Sequence, residues 1–244
     1  MEFQYLKTRV EPDGIGVITL SNPAKKNAIS IRMRQEIMEC LALWKPSDSV
    51  RLVIFTGEGN IFSAGFDLEE FRNPGVYDSL FNTSAQYHRD IWYFPKPVIA
   101  AVNGPALAGA FDLAKLCDIR ICSEGASFGH PEIKFGVPPL MTPLRWIVGE
   151  GIAREICMTG RRIDAAEAYR IGLANEVVAG DKLMARALQF GAEVLLAPQP
   201  ALQFIKQYAL DHGRGFEESF TVEHDKAFQE FLLGKGAQAA RNRG

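Results

Sequence analysis

Two stretches of this chain repeat one design, and the repetition restricts the folds that the chain can adopt. The run VIF at 53–55 leads to AGFDL at 64–68, and VIA at 98–100 leads to AGAFDL at 108–113. Both apolar runs are typical of strands buried on both faces, and each passes through a glycine turn before its small residues. In both copies the small residues are predicted to open a helix, and because the spacing is almost the same, the sequence predicts stacked ββα repeats.

The remaining patterns predict strands in the first half of the chain and helices in the second. Residues 14–21 and 118–125 have strand composition, whereas 30–44 has helical spacing with Ser30 as its N-cap. Helical patterns separated by glycine, proline and aspartate follow at 151–158, 164–171, 181–197, 199–211 and 217–233.

This order of elements predicts an α/β fold. Strands that alternate with helices and are followed by a helical tail indicate an α/β core with an α-helical C-terminal layer. We place the boundary near residue 190, which gives a core at 1–190 and a helical region at 191–244.

Charge, cysteines and apolar runs together indicate the cellular setting. The chain has 244 residues and a formal net charge of −2, so no overall field favours nucleic acid or an acidic membrane surface. Its four cysteines form no Cys-x-x-Cys pair, which fits a reducing compartment. The first residues lack a basic-then-apolar leader, and no apolar run is long enough to span a bilayer. The sequence therefore predicts a soluble cytoplasmic protein that binds neither nucleic acid nor membrane.

Small residues at 108–110 expose backbone at the predicted start of a helix. Gly and Ala let another group approach closely, and the free N–H groups of a helix start point outward with the helix dipole behind them. Two equivalent turns can direct two N–H groups at one oxygen, as in an oxyanion hole, and Ala64 and Gly109 are the candidate donors. The alternative explanation is tight helix packing.

Asp112 is the first candidate for acid–base chemistry. It lies three residues after Gly109, so a helix returns it to the face of the small-residue turn. A buried carboxylate needs either a partner or a task. The structural alternative for Asp112 is therefore an ion pair with Lys115 or Arg120.

Glu132 is the second candidate acid. It lies in the loop FGHPEIKFGVPP at 128–139, which its prolines and glycines keep from forming a long helix. Functional residues concentrate in loops, although a Glu after a Pro also caps short turns. His130 either assists Glu132 or is an ordinary hydrogen-bonded histidine.

The segment GASFG at 125–129 matches a competing motif, the Gly-x-Ser-x-Gly pattern of a hydrolase nucleophile elbow, with His212 or His224 as a later base. An elbow needs a helix after the serine, and Pro131 with the following glycines and prolines prevents one. The sequence also lacks a Walker loop, a Gly-x-Gly-x-x-Gly turn after a strand and a His/Cys ligand cluster. It indicates no bound metal, nicotinamide or flavin.

Several motifs together resemble one known family, the crotonase superfamily of enoyl-CoA hydratases and isomerases. The motifs similar to that family in order and spacing are FSAGFDL, KPVIAAVNGPALAGAFDLAKLCDIRI, ASFGHPEIKFGVPP and MTGRRIDAAEAYRIGLANEVV. The likeness extends from about residue 14 to 195. It implies a spiral of ββα repeats and a helical C-terminal region that mediates homotrimers, often paired as hexamers.

The resemblance also implies a substrate and a set of roles. The substrate is an acyl-CoA thioester, and no cofactor is needed beyond the coenzyme A that the substrate carries. Ala64 and Gly109 match the backbone N–H pair that holds the thioester oxygen as it gains enolate charge. Asp112 and Glu132 match the acids that flank the C2–C3 bond, with Glu132 as proton donor and Asp112 positioning the water. The positions that match substrate- and CoA-binding residues are Lys26, Ala28, Ala64, Gly65, Phe66, Asp67, Leu68 and Leu140.

The chain departs from the family pattern at four places. Asp112 is one methylene shorter than the usual hydratase Glu, and Phe66 replaces a residue that is commonly small. Residues 138–142 replace a glycine-rich turn, with Leu140 where dienoyl-CoA isomerases need a further Asp. The tail at 234–244 lacks the basic and aromatic ending common in the family. These differences concern the acyl and CoA pockets.

The sequence therefore predicts an acyl-CoA hydratase, which adds or removes water across the C2–C3 double bond of a 2-enoyl-CoA. One alternative is a 3,2-enoyl-CoA isomerase that uses Glu132 alone. A second is a crotonase-fold hydrolase that cleaves a carbon–carbon bond of a β-diketone with His130 as base. A non-catalytic acyl-CoA binder is the alternative outside enzymes, and the presence of both acids and both small-residue turns argues against it.

Overall fold

The computed structural model describes residues 2–212 together with Gly215 and Glu217. Its strands are β1 (Leu6–Val10), β2 (Ile15–Leu20), β3 (Leu52–Gly57), β4 (Val98–Val102), β5 (Pro105–Leu107), β6 (Ile119–Ser123), β7 (Ser127–Gly129), β8 (Ile163–Asp164) and β9 (Glu176–Val178). A six-stranded main sheet has the order β1-β2-β3-β4-β6-β9, and β5, β7 and β8 form a second sheet. In the main sheet β1 is antiparallel to β2, and the other neighbours run parallel.

The helices agree with most of the predicted segments. They are α1 (Ile31–Trp44), α2 (Tyr77–Trp92), α3 (Gly109–Leu116), α4 (Thr142–Val148), α5 (Glu150–Thr159), α6 (Ala165–Arg170), α7 (Leu183–Val194) and α8 (Gln199–His212). The Ser30 hydroxyl caps α1, as predicted, by accepting a hydrogen bond from the Met33 N–H at 3.2 Å. The sequence patterns do not predict α4, or α2, whose N-terminus carries no side-chain cap. The helix predicted at 217–233 falls, but for Glu217, outside the described residues, as does the tail at 234–244.

The predicted ββα repeat is confirmed. β4 of the main sheet is followed by β5 of the second sheet and then by α3, and β6 is followed by β7 and by a 3-10 turn at Pro131–Phe135. β3 begins a related unit that runs parallel to β4, and its continuation pairs Ser63 with Ala106 of β5. Consecutive units therefore stack. The ends of their second strands, near Ser63, Leu107 and Gly129, lie side by side.

The segment at 64–68 differs from its copy at 108–113, and here the sequence prediction was wrong. The small residues of the first copy do not open a helix, because Phe66 forms an extended bridge with Ile29 and α2 begins only at Tyr77. The dipole of a helix therefore supports the N–H groups of the second copy alone.

Helix α7 covers one face of the main sheet. It packs Leu183 and Ala187 against an apolar cluster that includes Ile15, Leu52 and Ile99 of the sheet. Full burial of such an aliphatic side chain stabilises the fold by about 1.5–3 kcal/mol. This packing gives the turns at the strand ends a rigid support.

The predicted division at residue 190 falls inside α7. Most of the second part, 191–244, lies outside the described residues, so the two-part division stays a prediction. The four cysteines are free and buried. In the part of the chain that the structure describes, no helix has both the length and the apolar composition that crossing a bilayer requires.

Candidate active site

Two backbone turns, at 63–67 and 105–109, lie against each other where the second strands end. The Leu107 N–H donates to the Ser63 oxygen at 3.1 Å. Gly65 has a φ of +98°, and a Cβ added to it would lie 2.6 Å from the Leu107 oxygen. Only a glycine therefore fits at this point, and its bare backbone allows the two turns to touch.

The structure contradicts Ala64 as an oxyanion donor. Its N–H donates to the Lys26 oxygen at 3.0 Å and is not available to a substrate. Two residues later, the Phe66 N–H has no acceptor within the described part of the chain, and the same holds for the Gly109 N–H. A Cβ on Gly65 would lie 3.3 Å from the Gly109 nitrogen, so the two free N–H groups are neighbours.

A strained residue turns the chain from β5 into α3. Ala108 has φ +51° and ψ −126°, a conformation that residues with a Cβ rarely adopt and that costs about 1–3 kcal/mol. Its N–H donates to the Gly129 oxygen at 2.9 Å, which fixes the turn to β7. The helix then begins at Gly109, and Asp112 occupies its first turn, where the helix dipole favours a carboxylate.

Lys115 is the cation that faces Asp112, and both belong to α3. Its Nζ lies 2.8 Å from Asp112 Oδ1 and 3.0 Å from His130 Nε2, and it also donates to the Leu140 carbonyl oxygen. These three polar neighbours compensate the burial of the ammonium group of Lys115, a residue that is 1% exposed. Of the two ion pairs that the sequence left open, the structure has the one with Lys115, because Arg120 donates to backbone oxygens.

The imidazole of His130 bridges the two predicted acids. Its Nδ1 lies 2.7 Å from Glu132 Oε1, and its Nε2 lies 3.9 Å from Asp112 Oδ1. The ring is fully buried and stacks on Phe111 with 4.7 Å between centroids. His130 is thus a direct hydrogen-bond partner of Glu132.

Each acid keeps one buried oxygen without an aligned hydrogen bond. Within the described residues, Asp112 Oδ1 contacts Lys115 Nζ and, at 3.9 Å, His130 Nε2 without hydrogen-bond geometry, and Glu132 Oε2 has no hydrogen-bond partner. Buried polar atoms in folded proteins are nearly always satisfied. Glu132 Oε2 is therefore available to a ligand, whereas Asp112 Oδ1 is held by the charge of Lys115.

Burial sets the proton affinity of Glu132 and His130 in opposite directions. It raises the pKa of Glu132 from 4.5 to about 7, and the positive charge of Lys115 opposes the rise. Burial and the same Lys115 charge lower the pKa of His130 from 6.5 to about 3. A carboxyl group with a pKa near neutrality is suited to general acid–base catalysis, whereas His130 stays neutral.

Two adjacent segments, 25–28 and 64–68, carry most of the residues matched to CoA binding. They are joined by the hydrogen bond between Ala64 and Lys26 and by an ion pair of 3.0 Å between Lys25 Nζ and Asp67 Oδ2. Leu68 is 71% exposed. Leu140 lies apart from them, with a buried side chain and its carbonyl on Lys115.

The Phe66 side chain closes over the start of α3. A Cβ on Gly109 would lie 2.7 Å from two carbons of the Phe66 ring. The guanidinium of Arg34 lies over the same ring, 4.7 Å from its centroid, and Arg34 Nη2 lies 3.2 Å from Glu70 Oε2. Arg34 was not predicted from the sequence. The one feature that could have indicated its burial is its position on the apolar face of α1, three residues before Ile37.

The elbow motif at 125–129 does not form an elbow. Ser127 begins β7, and a 3-10 turn at Pro131–Phe135 follows in place of a helix. The side chains of His212 and His224 lie outside the described residues. Within the described residues, no three His, Cys, Asp or Glu side chains are grouped so as to hold a metal ion.

Comparison with known proteins decides the family. Residues 10–230 match the family model described as enoyl-CoA hydratase/isomerase. The chain belongs to the enoyl-CoA hydratase/isomerase family. This membership confirms the resemblance found in the sequence.

Relatives in the enoyl-CoA hydratase/isomerase family are similar over most of their length. A putative enoyl-CoA hydratase of Thermus thermophilus is 33% identical over 223 residues, 88% of each chain. A probable enoyl-CoA hydratase of Rhizobium meliloti is 36% identical over 202 residues, 81% of this chain and 79% of the relative. The crystal structure of an enoyl-CoA hydratase/isomerase from Xanthobacter autotrophicus Py2 has a TM-score of 0.86 at 32% identity, covering 100% of this chain and 95% of that one. The predicted crotonase-like α/β fold is therefore confirmed.

Proposed function

We propose that this chain is an acyl-CoA hydratase, which adds water to, or removes it from, the C2–C3 bond of a 2-enoyl-CoA. One observation carries the proposal: Asp112 and Glu132 lie on either side of one buried imidazole, close to two free backbone N–H groups. Identities of 33–36% to proteins named enoyl-CoA hydratase support the same activity.

The N–H groups of Phe66 and Gly109 are the proposed donors to the thioester oxygen. Addition at C3 pushes negative charge onto that oxygen, and donors that are already in place stabilise it without reorganisation. Gly109 adds the field of the helix start, since it is the first residue of α3. Phe66 takes the role that the sequence analysis gave to Ala64.

The two acids divide the proton chemistry. Glu132 gives its proton to C2 while a water molecule oriented by the Asp112 carboxylate adds its oxygen to C3. The proton that this water releases passes to the pair of acids, which again shares one proton. The sum is the addition of one water, and the reverse sequence removes it.

The CoA arm of the substrate is proposed to lie along residues 25–28 and 64–68. These segments adjoin the Phe66 N–H, which would hold the thioester, and Lys26 supplies positive charge for phosphate groups, whereas Lys25 is paired with Asp67 and Glu69. Assembly into a homotrimer or a dimer of trimers, which the family resemblance implies, is part of the same proposal.

We expect kcat/KM for hydration of crotonyl-CoA to fall as the pH rises above about 7. The protonated form of Glu132 is the active one, and burial raises the pKa of this group to about 7, so a higher pH removes the proton that C2 must receive. Dehydration of 3-hydroxybutyryl-CoA should show the same profile, since water addition neither consumes nor releases a net proton. Initial rates between about pH 5 and 9 test this, and a rate that stays constant over that range would contradict it.

Isotope transfer tests the function directly. Crotonyl-CoA is incubated with the protein in water enriched in heavy oxygen, and the products are analysed by mass spectrometry. A hydratase incorporates one labelled oxygen into a 3-hydroxyacyl product. Absence of label from crotonyl-CoA and from a panel of longer, branched and cyclic 2-enoyl-CoA thioesters would overturn the proposal.

Replacement of Asp112 by asparagine separates a hydratase from a 3,2-enoyl-CoA isomerase. We expect Asp112→Asn to lower the hydration rate by about 100-fold or more, because the amide cannot accept the proton of the attacking water. An isomerase that uses Glu132 alone would keep most of its rate on a 3-enoyl-CoA. The exposed Asp78, changed to Asn, is the matched control and should leave both rates unchanged.

The geometry does not favour the β-diketone hydrolase with His130 as base. One ring nitrogen of His130 is bound to Lys115 and the other to Glu132. Its pKa, lowered to about 3 by burial and by the Lys115 charge, also makes it a weak base.

A further inference from the structure

We propose that Lys115 and His130 are positioning residues that hold the imidazole in its Nδ1–H tautomer and thereby place the transferable proton of Glu132 on Oε2. The inference rests on the proposed function, since it concerns the acid that we assign as proton donor. It explains why a lysine and a histidine are buried together behind two carboxylates.

Lys115 determines which nitrogen of the ring is bare. An ammonium group has N–H donors and no acceptor, so the contact of 3.0 Å between Lys115 Nζ and His130 Nε2 requires a lone pair on Nε2. Lys115 is held in this position by the Leu140 carbonyl and by Asp112, which come from the loop before α4 and from α3. The proton of the neutral imidazole is therefore on Nδ1.

The Nδ1–H group then distinguishes the two oxygens of Glu132. It lies 2.7 Å from Oε1, so Oε1 accepts its hydrogen bond and must present a lone pair. A protonated Glu132 consequently carries its proton on Oε2. This is also the oxygen that has no partner among the described residues, which leaves it free to meet the substrate.

Packing keeps the ring from turning over and exchanging its nitrogens. The imidazole stacks on Phe111 with an angle of 28° between the planes. The backbone of His130 is equally confined, since a Cβ on Gly160 of the neighbouring segment would lie 2.6 Å from the His130 oxygen. A fixed ring transmits the position of Lys115 to Glu132.

Lys115 also acts on Glu132 through its charge. Its positive charge lowers the pKa of the Glu132 carboxyl, against the larger effect of burial. Within the described residues, the titratable groups around Glu132 are His130 beside it and Lys115 and Asp112 from α3, and Tyr87 of α2 lies within electrostatic range of Asp112. Loss of Lys115 should therefore make Glu132 hold its proton more tightly.

Nitrogen NMR of the unliganded full-length protein tests the tautomer. The chain has four histidines, so selective ¹⁵N-histidine labelling gives a small set of signals, and a His130→Gln sample assigns the one of interest. We expect a neutral ring with its proton on Nδ1 that does not titrate between about pH 5 and 9. A proton on Nε2, or titration within this range, would overturn the proposal.

The pH profile of Lys115→Met tests the link to the acid. We expect the upper midpoint of kcat/KM for hydration to move up by about one pH unit, which a purely structural role would not produce. Lys134→Met is the matched control, because Lys134 lies on the same 3-10 turn as Glu132 but is exposed, and its profile should not move. An unchanged midpoint in a folded Lys115→Met protein would contradict the proposal.

A second variant covers the case in which Lys115→Met does not fold. Lys115→Gln keeps an N–H donor but lacks the charge, so its midpoint should also move up. Because the NMR experiment needs no turnover, an Nδ1–H ring in a protein without hydratase activity would reject the proposed function and keep the positioning pair. Hydratase activity in a protein whose His130 ring carries its proton on Nε2 would support the proposed function and reject the positioning pair.

Discussion

Replacement of Glu132 by glutamine is expected to lower kcat for hydration by about 1,000-fold, within the range of ~10²–10⁴ that acid–base catalysis supplies. The amide has the shape of the carboxyl group and its oxygen can still accept the His130 Nδ1–H, but it has no proton to give to C2. Rates with crotonyl-CoA at saturating concentration measure the effect. KM should change little, because the oxyanion donors and the CoA-binding segments are untouched.

Two controls distinguish loss of chemistry from loss of fold. Glu124→Gln, at an exposed position, should retain full activity. The pKa of Glu132 is raised from 4.5 to about 7, so the stability that this group contributes is present below pH 4.5 and is lost as the pH rises through about 7. Thermal unfolding of Glu132→Gln at pH 8 should therefore occur at the parent temperature or above it. A large fall in that temperature would mean that the lost rate reports unfolding.

Replacement of Gly109 by alanine is expected to lower kcat/KM by about 100- to 1,000-fold, the typical effect of losing one oxyanion donor. The added Cβ would lie 2.7 Å from the Phe66 ring, closer than side-chain atoms pack, so the ring and the Phe66 N–H must move away. Steady-state kinetics together with thermal unfolding measure the change. The acids stay in place, so the loss should be nearly uniform across pH.

A double-mutant cycle identifies the cause. In a Phe66→Ala protein the ring is absent, and the Cβ of Ala at position 109 has room. The same Gly109→Ala change should then cost less than about 10-fold, a coupling that independent sites would not show. If Gly109→Ala lowers kcat/KM equally in the parent protein and in the Phe66→Ala protein, displacement of the Phe66 turn is not the cause of the loss.

The parts of the fold that could be predicted are those with long, uniform signals. β3 and β4 lie in continuous apolar runs, β2 and β6 have strand composition, and most of the larger helices have an apolar face of regular spacing. The strands of the second sheet have only two or three residues, which is too short for an alternating pattern to appear. They form because the main-sheet strands before them place their backbones side by side.

The same distinction applies to the site. Gly109, Asp112 and Glu132 carry local signals, namely a bare helix start and two acids in otherwise apolar or looped surroundings. The mistaken choice of Ala64 arose because its N–H is taken by Lys26, a residue from a distant loop that the spacing of 64–68 does not reveal. The contact between Lys115 and His130 also arises from tertiary packing. The sequence therefore indicated each residue separately but could not predict that they touch.

The stacking of consecutive ββα units has a consequence for the order in which this protein acquires its structure. β5 pairs with β7 of the next unit, and the Ala108 N–H reaches the Gly129 oxygen across the same step. Contacts between segments that are near in the chain close short loops, lose less entropy and form early. We therefore expect the surroundings of Asp112 and Glu132 to become protected from hydrogen exchange together, as one unit is added to the unit before it.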